Sequence, residues 1–350
     1  MSVQMVHNVG PVASSEATTF AGHQGMAGGV AALFEQANLT QDLEAVERLL
    51  LERTRSRAEV IRAASSHTIR SGGKRLRAAL ALLAARLGHY RLERVIHAAA
   101  AVELIQAASL VHDDLVDQAV RRRGRVTVHA RWDNDVALMV GDYFFALAAD
   151  EMARSPDPRI ITFYAQAVRT VVEGELSPVT MLEPTKQALE QYYYKTGAKT
   201  AALFEAACKA GMAAGGGNDA QIAALGRYGF DLGMAFQIID DMLDFTGDEA
   251  TLGKPAGNDL RQGTITLPLI LAMERAPSAP LRAIIEHGTP NDSQVQAVIQ
   301  EVIAAGGVLA ASAEAQRFIG EAIGHLKPFP PSPALSALVR LANFVVERDA

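Results

Sequence analysis

The same acidic pattern, D-D-x-x-D, occurs twice in this chain, as Asp113-Asp114-Leu115-Val116-Asp117 and as Asp240-Asp241-Met242-Leu243-Asp244. Each copy lies at the end of a long, alanine-rich stretch in which apolar residues recur with helical period. Residues four apart share one face of a helix, so the first and last acids of each copy point in the same direction. The two copies therefore predict two long helices that each present a pair of carboxylates.

Such a pair of carboxylates needs a compensating cation, because like charges at this spacing repel and weaken the helix. Mg²⁺ is suited to the position, since it binds carboxylate oxygens and leaves its remaining sites to water and substrate phosphates. Two pairs predict a cavity in which several magnesium ions surround a polyphosphate. The simpler interpretation is two solvated acidic helix ends, which is typical of a single cluster. It accounts less well for two clusters in apolar surroundings.

The rest of the chain has the pattern of an all-α protein. From about Leu39 onward Ala, Leu, Glu and Arg dominate, and apolar and polar residues do not alternate over any long stretch. The predicted helices include one from Thr40 to a break at Ser71, and others over residues 92–117, 189–214 and 219–245. With no linker rich in Pro or Ser, we expect a single large helical bundle around a central cavity at residues 31–350. Residues 1–30 are expected to form a flexible tail.

The composition excludes several classes of protein. The formal net charge of −6 argues against a nucleic-acid partner. Cys208 is the only cysteine, so the chain has no internal disulfide and no cysteine-bound zinc, as is usual in a reducing cytosol. Apolar runs such as residues 78–85 are too short to span a bilayer. We therefore expect a cytoplasmic protein without a transmembrane segment.

Two basic features suggest binding sites for phosphate. In Gly72-Gly73-Lys74-Arg75-Leu76-Arg77, two glycines allow close backbone approach, and two cations flank the start of a helix. The basic run at residues 121–125, predicted to be a loop, follows the first acidic motif directly, where diphosphate charge would need matching. The alternatives are a glycine hinge before an ordinary helix and a solvated charged surface.

Two further stretches carry single cations in suggestive places. Lys199-Thr200 lies within an apolar helical pattern, where the lysine could also extend to the surface. The segment at residues 253–260 contains Lys254 and follows the second acidic motif, so it could fold over a site, although a plain surface loop has the same composition. Motifs for a serine nucleophile, a phosphate loop or a zinc protease are absent from the sequence.

Together these groups predict a device for removing diphosphate. Carboxylates, Mg²⁺ and fixed cations would stabilise the charge that develops on the departing oxygens. Since the pattern contains neither an evident protein nucleophile nor a strong general base, the chemistry fits ionisation to a carbocation in an apolar cavity. A carbon nucleophile aligned beside it would then capture that carbocation.

On these motifs the chain resembles the trans-polyprenyl diphosphate synthases over roughly residues 40–348. The resemblance implies the isoprenoid synthase bundle, a homodimer, about three Mg²⁺ ions, and two substrates, isopentenyl diphosphate and an allylic prenyl diphosphate. It implies that the catalytic residues are Lys199 and the six motif acids, Asp113, Asp114, Asp117, Asp240, Asp241 and Asp244. Of these acids it implies that the metal ligands are Asp113, Asp117, Asp240 and Asp244.

The same resemblance assigns the substrate contacts. It implies that isopentenyl diphosphate is bound by Lys74, Arg77 and Arg123. It implies that the allylic diphosphate faces Arg122, Lys199, Thr200, Gln237 and Lys254. Two positions depart from the family pattern: Gln106 stands where many bacterial members have His, and Thr264 stands where many have Lys. We expect Gln106 still to donate a hydrogen bond to diphosphate, and we expect one cation contact near Thr264 to be weaker or supplied elsewhere.

Product length is predicted from the helix below Asp113. Short-chain members of this family place aromatic residues four or five positions before the first motif, where this chain has Ser109 and Ala108. A growing chain can therefore pass, and we expect a medium or long product. The alternatives are a geranylgeranyl or farnesyl diphosphate synthase, a class I terpene cyclase and a non-catalytic partner subunit. The intact motifs and the second diphosphate site disfavour the last two.

Overall fold

The predicted all-α architecture is confirmed. The computed structural model describes residues 24–247, 256–278, 280–282 and 290–347. The helices of the first half are α1 (Gln24–Gln36), α2 (Thr40–Arg53), α3 (Glu59–Arg70), α4 (Leu76–Ala85), α5 (Leu92–Val116), α6 (Val128–Arg131), α7 (Asn134–Ala153) and α8 (Arg159–Glu175). A two-stranded antiparallel hairpin, β1 (Arg121–Arg122) and β2 (Arg125–Val126), separates α5 from α6.

The second half of the described chain continues the helical series. It comprises α9 (Thr185–Thr196), a π-helical turn (Gly197–Ala201), α10 (Ala202–Ala214), α11 (Asp219–Thr246), α12 (Asn258–Arg261), α13 (Leu267–Arg275), α14 (Asp292–Ala304), α15 (Gly307–His325) and α16 (Pro333–Glu347).

Helix α10 lies at the centre of the bundle and packs against α4, α5, α8 and α11. Its alanines and glycines let the neighbouring backbones come close. A Cβ atom on Gly211 would lie 2.1 Å from the carbonyl oxygen of Ala81, and one on Gly229 of α11 would lie 2.6 Å from that of Phe204. The alanine-rich composition thus reflects tight helix packing around a shared core.

The two acidic motifs lie at the C-terminal ends of the two longest described helices, α5 and α11. Asn218 begins α11 with a capping box, in which its side chain accepts from the backbone of Gln221 and the Gln221 side chain accepts in return. Helix α5 is long and apolar enough to cross a bilayer, but 67% of its most apolar window is buried inside the protein. It therefore has the burial of a core helix.

Several local predictions differ from the structure. The helix predicted from Thr40 to Ser71 is interrupted after Arg53, because the Thr54 hydroxyl donates to the carbonyl of Leu51 and Ala58 is extended. The predicted basic loop is instead the β1–β2 hairpin, whose central residues Arg123 and Gly124 have φ of +51° and +75°. Consecutive left-handed residues of this kind match the twist of a tight hairpin.

The first described helix begins inside the predicted tail. Helix α1 packs on α2 and α16 and buries Val30, Leu33 and Phe34 in the core. Burial of these side chains stabilises the helix, which the Gly- and Ala-rich composition of the segment does not predict. Residues 1–23 lie outside the described part, so the tail prediction is untested there.

Candidate active site

The first acidic motif ends α5 with its three acids in different environments. Asp113 is half-buried, Asp114 is buried and Asp117 is exposed. The backbone N–H of Asp117 donates to the Asp113 carbonyl at 2.8 Å, which closes the last helical turn. The Asp114 carboxylate accepts from Arg122 Nε of β1 at 2.6 Å. The hairpin thus neutralises the middle acid, while the outer two share one face.

Lys199 lies near this motif, and its predicted role toward the allylic diphosphate is untested. Its Nζ is 2.7 Å from Glu175 Oε1 at the end of α8. Burial raises the pKa of Asp113 to about 6, although the positive charge of Lys199 opposes the rise. Burial lowers the pKa of Lys199, but Glu175, Asp113 and Asp117 together outweigh it, so this pKa is raised and the side chain carries a positive charge. Sequence analysis did not identify Glu175.

The second motif ends α11 with a different arrangement. Asp240 is exposed, whereas Asp241 is 6% exposed. The Asp241 carboxylate accepts from Tyr192 Oη at 2.7 Å and from Gln237 Nε2 at 2.9 Å. Burial raises the pKa of Asp241 to about 7, and the negative charge of Asp259 adds to the rise. Its hydrogen-bond partners are neutral, unlike the arginine that meets Asp114.

The π-helical turn connects the two motifs. Thr200 follows Lys199 in this turn, and its hydroxyl donates to Gln237 Oε1 at 2.8 Å. Adjacent residues of one turn therefore face opposite sides, with Lys199 beside the first motif and Thr200 joined to α11 below the second. Turns of this kind commonly occur at functional sites.

Asp244, the last acid of the second motif, contacts the backbone of the following segment. It is 2% exposed, and its two oxygens accept from the N–H groups of Asn258 at 3.2 Å and Asp259 at 2.9 Å. These are the first residues of α12, so the carboxylate satisfies donors that a helix start leaves open. Its predicted role as a metal ligand is untested. Lys254 lies outside the described residues, as does the first part of its segment.

The double glycine of the basic motif makes room for Arg123. Gly72 and Gly73 have φ of +77° and +156°. The Arg123 guanidinium donates to the Gly72 carbonyl, and a Cβ atom on Gly73 would lie 2.6 Å from Arg123 Nη1. The missing Cβ of Gly73 thus leaves room for the guanidinium, and both glycines adopt a φ that favours glycine.

Arg77 lies between the basic groups and the second motif. Its guanidinium carbon is 4.8 Å from the centre of the Phe204 ring. Burial lowers its pKa to about 10; Glu103 opposes this change, and the charges of Arg123 and Asp240 also act on the group. Its Nε is buried and has no hydrogen-bond partner within the described part of the chain. A buried donor of this kind still needs an acceptor, which a water molecule or a ligand can supply.

Neighbouring residues hold this corner in place. The Glu103 carboxylate accepts from the N–H of Ala78 at 3.0 Å and from Arg75 Nη1 at 3.5 Å. Arg75 has φ of +48° and also donates to Glu47. The two arginines of the motif thus differ: Arg75 stabilises the helix start, whereas Arg77 packs over Phe204. Lys74 is half-buried on the same turn.

The acids are suited to a divalent metal ion. Their donors are all oxygen, and the negative charge of Asp117 acts on Asp113, as that of Asp240 acts on Asp241, in the direction that opposes ionisation. Over residues 24–247, 256–278, 280–282 and 290–347, no three carboxylate, imidazole or thiol groups converge on one point. An ion held here would therefore complete its coordination with water or phosphate oxygens.

The predicted chain-length residues lie on α5 beneath the first motif. Ala108 is fully buried, while Ser109 and Gln106 are half-buried. Ser109 therefore has more room for a larger side chain than Ala108 has. Their predicted roles are untested.

Comparison with known proteins agrees with this geometry. A family model described as polyprenyl synthetase matches residues 58–302. The heptaprenyl diphosphate synthase component 2 of Geobacillus stearothermophilus is 39% identical over 314 residues, which cover 89% of this chain and 97% of that protein. A polyprenyl synthase from Caulobacter crescentus CB15, solved with calcium and isoprenyl diphosphate, aligns at a TM-score of 0.85, with 35% identity, over 92% of this chain and 98% of that one.

A second solved structure is similarly close. The decaprenyl diphosphate synthase of Rhodobacter capsulatus aligns at a TM-score of 0.84, with 36% identity, over 91% of this chain and 99% of that chain. The matches extend over most of the chain and include both acidic motifs. This chain belongs to the polyprenyl synthetase family, whose members use divalent metal ions, and it is a chain-elongating prenyltransferase.

Proposed function

We propose that this enzyme condenses isopentenyl diphosphate with an allylic prenyl diphosphate, and that it repeats the step to make a medium- or long-chain all-trans product. The observation that carries the proposal is the π-helical turn, where Lys199 lies beside the first motif and Thr200 is bonded to Gln237 below the second. A diphosphate between the two motifs would meet both residues.

We assign the metal contacts to the outer acids. Asp113, Asp117 and Asp240 are half-buried or exposed at the helix ends, and they would hold about three Mg²⁺ ions with the diphosphate. Bound magnesium would supply charge that stabilises the departing diphosphate. Asp114 and Asp241 support the neighbouring acids from below. Asp244 contributes through its contact with the start of α12.

The cations divide into two groups according to their neighbours. Arg122 contacts Asp114, and the charge of Lys199 acts on Asp113 and Asp117, which supports a role for both cations toward the allylic diphosphate. Arg123 donates to Gly72 of the double glycine, beside Lys74, and its charge acts on Arg77, which supports the isopentenyl diphosphate site. The unsatisfied Nε of Arg77 would donate to that second diphosphate. Gln106 and Gln237 would add neutral donors on the allylic side.

A product longer than farnesyl is supported by small residues below the first motif and by the named products of the relatives. Ser109 and Ala108 leave the α5 face without an aromatic barrier. The dimer predicted from the sequence stays a proposal, which exposed apolar side chains support: Val116, Val120, Leu138 and Met139. Two relatives are named as component 2. We propose that the present chain acts as a cytoplasmic homodimer without a second component.

The test is a direct assay of elongation. The purified protein is incubated with Mg²⁺, isopentenyl diphosphate and, in separate reactions, dimethylallyl, geranyl, farnesyl or geranylgeranyl diphosphate, and the extracted chains are sized. We expect extension beyond twenty carbons by the chain alone. Products that stop at fifteen or twenty carbons would favour a farnesyl or geranylgeranyl synthase. Activity only after addition of another subunit would contradict the homodimer proposal.

A further inference from the structure

One continuous helical segment contacts the second acidic motif at two points. Tyr192 lies in α9 and Thr200 lies in the π-helical turn that follows, eight residues later. In a regular α-helix, residues eight apart point about 80° away from each other. A π turn takes up one additional residue, and seven α-helical steps return to within about 20° of the starting face. The π turn therefore brings Tyr192 and Thr200 to the same side of the segment.

The opposite side of this contact is formed by two residues of α11. Gln237 and Asp241 are four apart and share a helix face. Tyr192 Oη donates to Asp241 Oδ2 at 2.7 Å, and Gln237 Nε2 donates to Asp241 Oδ1 at 2.9 Å. Thr200 Oγ1 lies 2.8 Å from Gln237 Oε1, to which it donates. Three hydrogen bonds link the four side chains in a row, and the backbones of the two helices close this row into a ring.

The direction of each hydrogen bond in this ring follows from one acid. In its ionised form Asp241 only accepts, so Tyr192 donates to it and Gln237 turns its NH₂ toward it. The amide oxygen of Gln237 is then left for the Thr200 hydroxyl. Asp241 thus sets the orientation of Gln237, and Gln237 sets that of Thr200.

We infer that Tyr192 is a positioning residue for elongation, because its hydroxyl holds the Asp241 carboxylate that orients Gln237 and Thr200. This inference rests on the proposed function, in which Gln237 and Thr200 face the allylic diphosphate. Without the hydroxyl, Asp241 loses one of its two donors and the Gln237 amide is free to turn over. We therefore expect weaker binding of the allylic diphosphate and its magnesium. Binding of isopentenyl diphosphate should change less, because Lys74, Arg77 and Arg123 belong to other elements.

The adjacent residue provides a matched control. Tyr193 is on the same helix and its hydroxyl also donates to a carboxylate at 2.7 Å, but that carboxylate is Glu314 of α15. Tyr192→Phe and Tyr193→Phe therefore remove the same atom and the same kind of hydrogen bond. Only Tyr192→Phe removes a hydrogen bond of the ring.

The experiment compares steady-state kinetics of the two variants with farnesyl diphosphate as primer. We expect Tyr192→Phe to lower kcat/KM for farnesyl diphosphate about tenfold and to raise the Mg²⁺ concentration for half-maximal rate. The KM for isopentenyl diphosphate should change less than about twofold, and Tyr193→Phe should leave all these constants near the wild-type values. Equal effects of the two variants, or equal losses for both substrates, would overturn the inference.

A double-mutant cycle tests the connection through the ring. Thr200→Val removes the hydrogen bond between Thr200 and Gln237. In that background we expect Tyr192→Phe to lower kcat/KM for farnesyl diphosphate by a smaller factor than in the wild type. Tyr193→Phe with Thr200→Val should be additive. Additivity in both cycles would show that the ring does not transmit the effect.

A binding measurement separates this inference from the proposed function. Mg²⁺ with inorganic diphosphate should raise the melting temperature of the wild type and of Tyr193→Phe, and should raise that of Tyr192→Phe less. If the wild type elongates no primer, the proposed function fails, whereas the ring is still judged by these shifts. Equal shifts in the three proteins would overturn the positioning role. Should Tyr192→Phe not fold, the same melting comparison with Gln237→Leu replaces it, and an unchanged shift there would overturn the role.

Discussion

The two acidic motifs have the same sequence pattern but different surroundings. In the first, the middle acid Asp114 meets the Arg122 guanidinium at 2.6 Å, and Lys199 lies near Asp113. In the second, the middle acid Asp241 meets the neutral hydroxyl of Tyr192 and the neutral amide of Gln237. The first motif is therefore partly compensated by the protein's own cations, whereas acids surround Asp241.

The outer acids differ as well. Asp113 and Asp117 both remain accessible at the end of α5, but at the end of α11 only Asp240 is exposed, and Asp244 is 2% exposed against the start of α12. The residue four positions before each motif also differs, being Ser109 on α5 and Phe236 on α11. Phe236 packs against Phe204, with ring centres 5.5 Å apart. The comparison supports the proposal that α5 supplies two metal ligands and room for a product, whereas α11 supplies one ligand and a closed wall.

The largest expected effect comes from the first acid of each motif. Asp113→Asn and Asp240→Asn should each lower kcat about a thousandfold, because each removes a charge that faces the departing diphosphate. The measurement is elongation rate at saturating Mg²⁺ and both substrates. A loss below tenfold for either variant would remove that acid from the metal contacts.

A smaller effect is expected from Asp244, and this sharpens the comparison with Asp117. Asp244→Asn should lower kcat about 10- to 100-fold, in the range of groups that act through a neighbour, since its oxygens accept from the α12 backbone. Asp117→Asn should lower kcat by a larger factor than Asp244→Asn does. Limited proteolysis should show faster cleavage near α12 only in Asp244→Asn. If Asp244→Asn matches Asp240→Asn in rate and leaves proteolysis unchanged, Asp244 is a direct ligand.

Product length tests the difference between Ser109 and Phe236. Ser109→Phe should shorten the product by one or more isoprene units with only a modest loss of rate, because the half-buried serine has space for a larger side chain. Ala108→Phe should also shorten it, but at a cost in stability of about 1–3 kcal/mol from overpacking a fully buried position. Product sizing by chromatography and thermal unfolding provide the two measurements. Phe236→Ala is the control, and longer products from that variant would place the product path along α11.

The smallest effect concerns stability of the metal-free protein, measured with a chelator. Burial raises the pKa of Asp241 to about 7, above the usual value near 4 that it regains on unfolding. The folded state thus binds more protons between these values, and the free energy of unfolding falls as the pH rises through this window. Asp241→Asn should remove this loss, so its melting temperature relative to wild type should increase from pH 5 to pH 8.

The first motif supplies the matching control for this pH effect. The melting temperature of Asp114→Asn should rise less at pH 8, because this variant loses the salt bridge with Arg122. That salt bridge lowers the pKa of Asp114 and so opposes the effect of burial. Parallel melting curves for wild type and Asp241→Asn across this range would show that the Asp241 carboxylate does not titrate there.

Several features of the site could be predicted from local sequence. The long helices that end in the two motifs follow from the recurrence of apolar residues and from the break at Gly215–Gly217, and the structure confirms them. Helix predictions of this kind succeed because period and turn composition are properties of neighbouring residues. The structure places Lys199 near Asp113 and Arg77 near Arg123, whereas the roles predicted for these cations stay predictions.

Other features were decided only by tertiary contacts. Tyr192 lies in a run of three tyrosines with nothing in its own sequence to distinguish it, yet it meets Asp241, 49 residues away. Gly73 is explained by Arg123, whose guanidinium occupies the space that a Cβ atom at position 73 would need. The same guanidinium donates to the carbonyl of Gly72, which is 51 residues away in sequence. The sequence alone determined the helical class, the two acid pairs and the cations near them. Which acids are exposed, capped or held by neutral donors was decided by packing, because those partners come together only when distant helices meet.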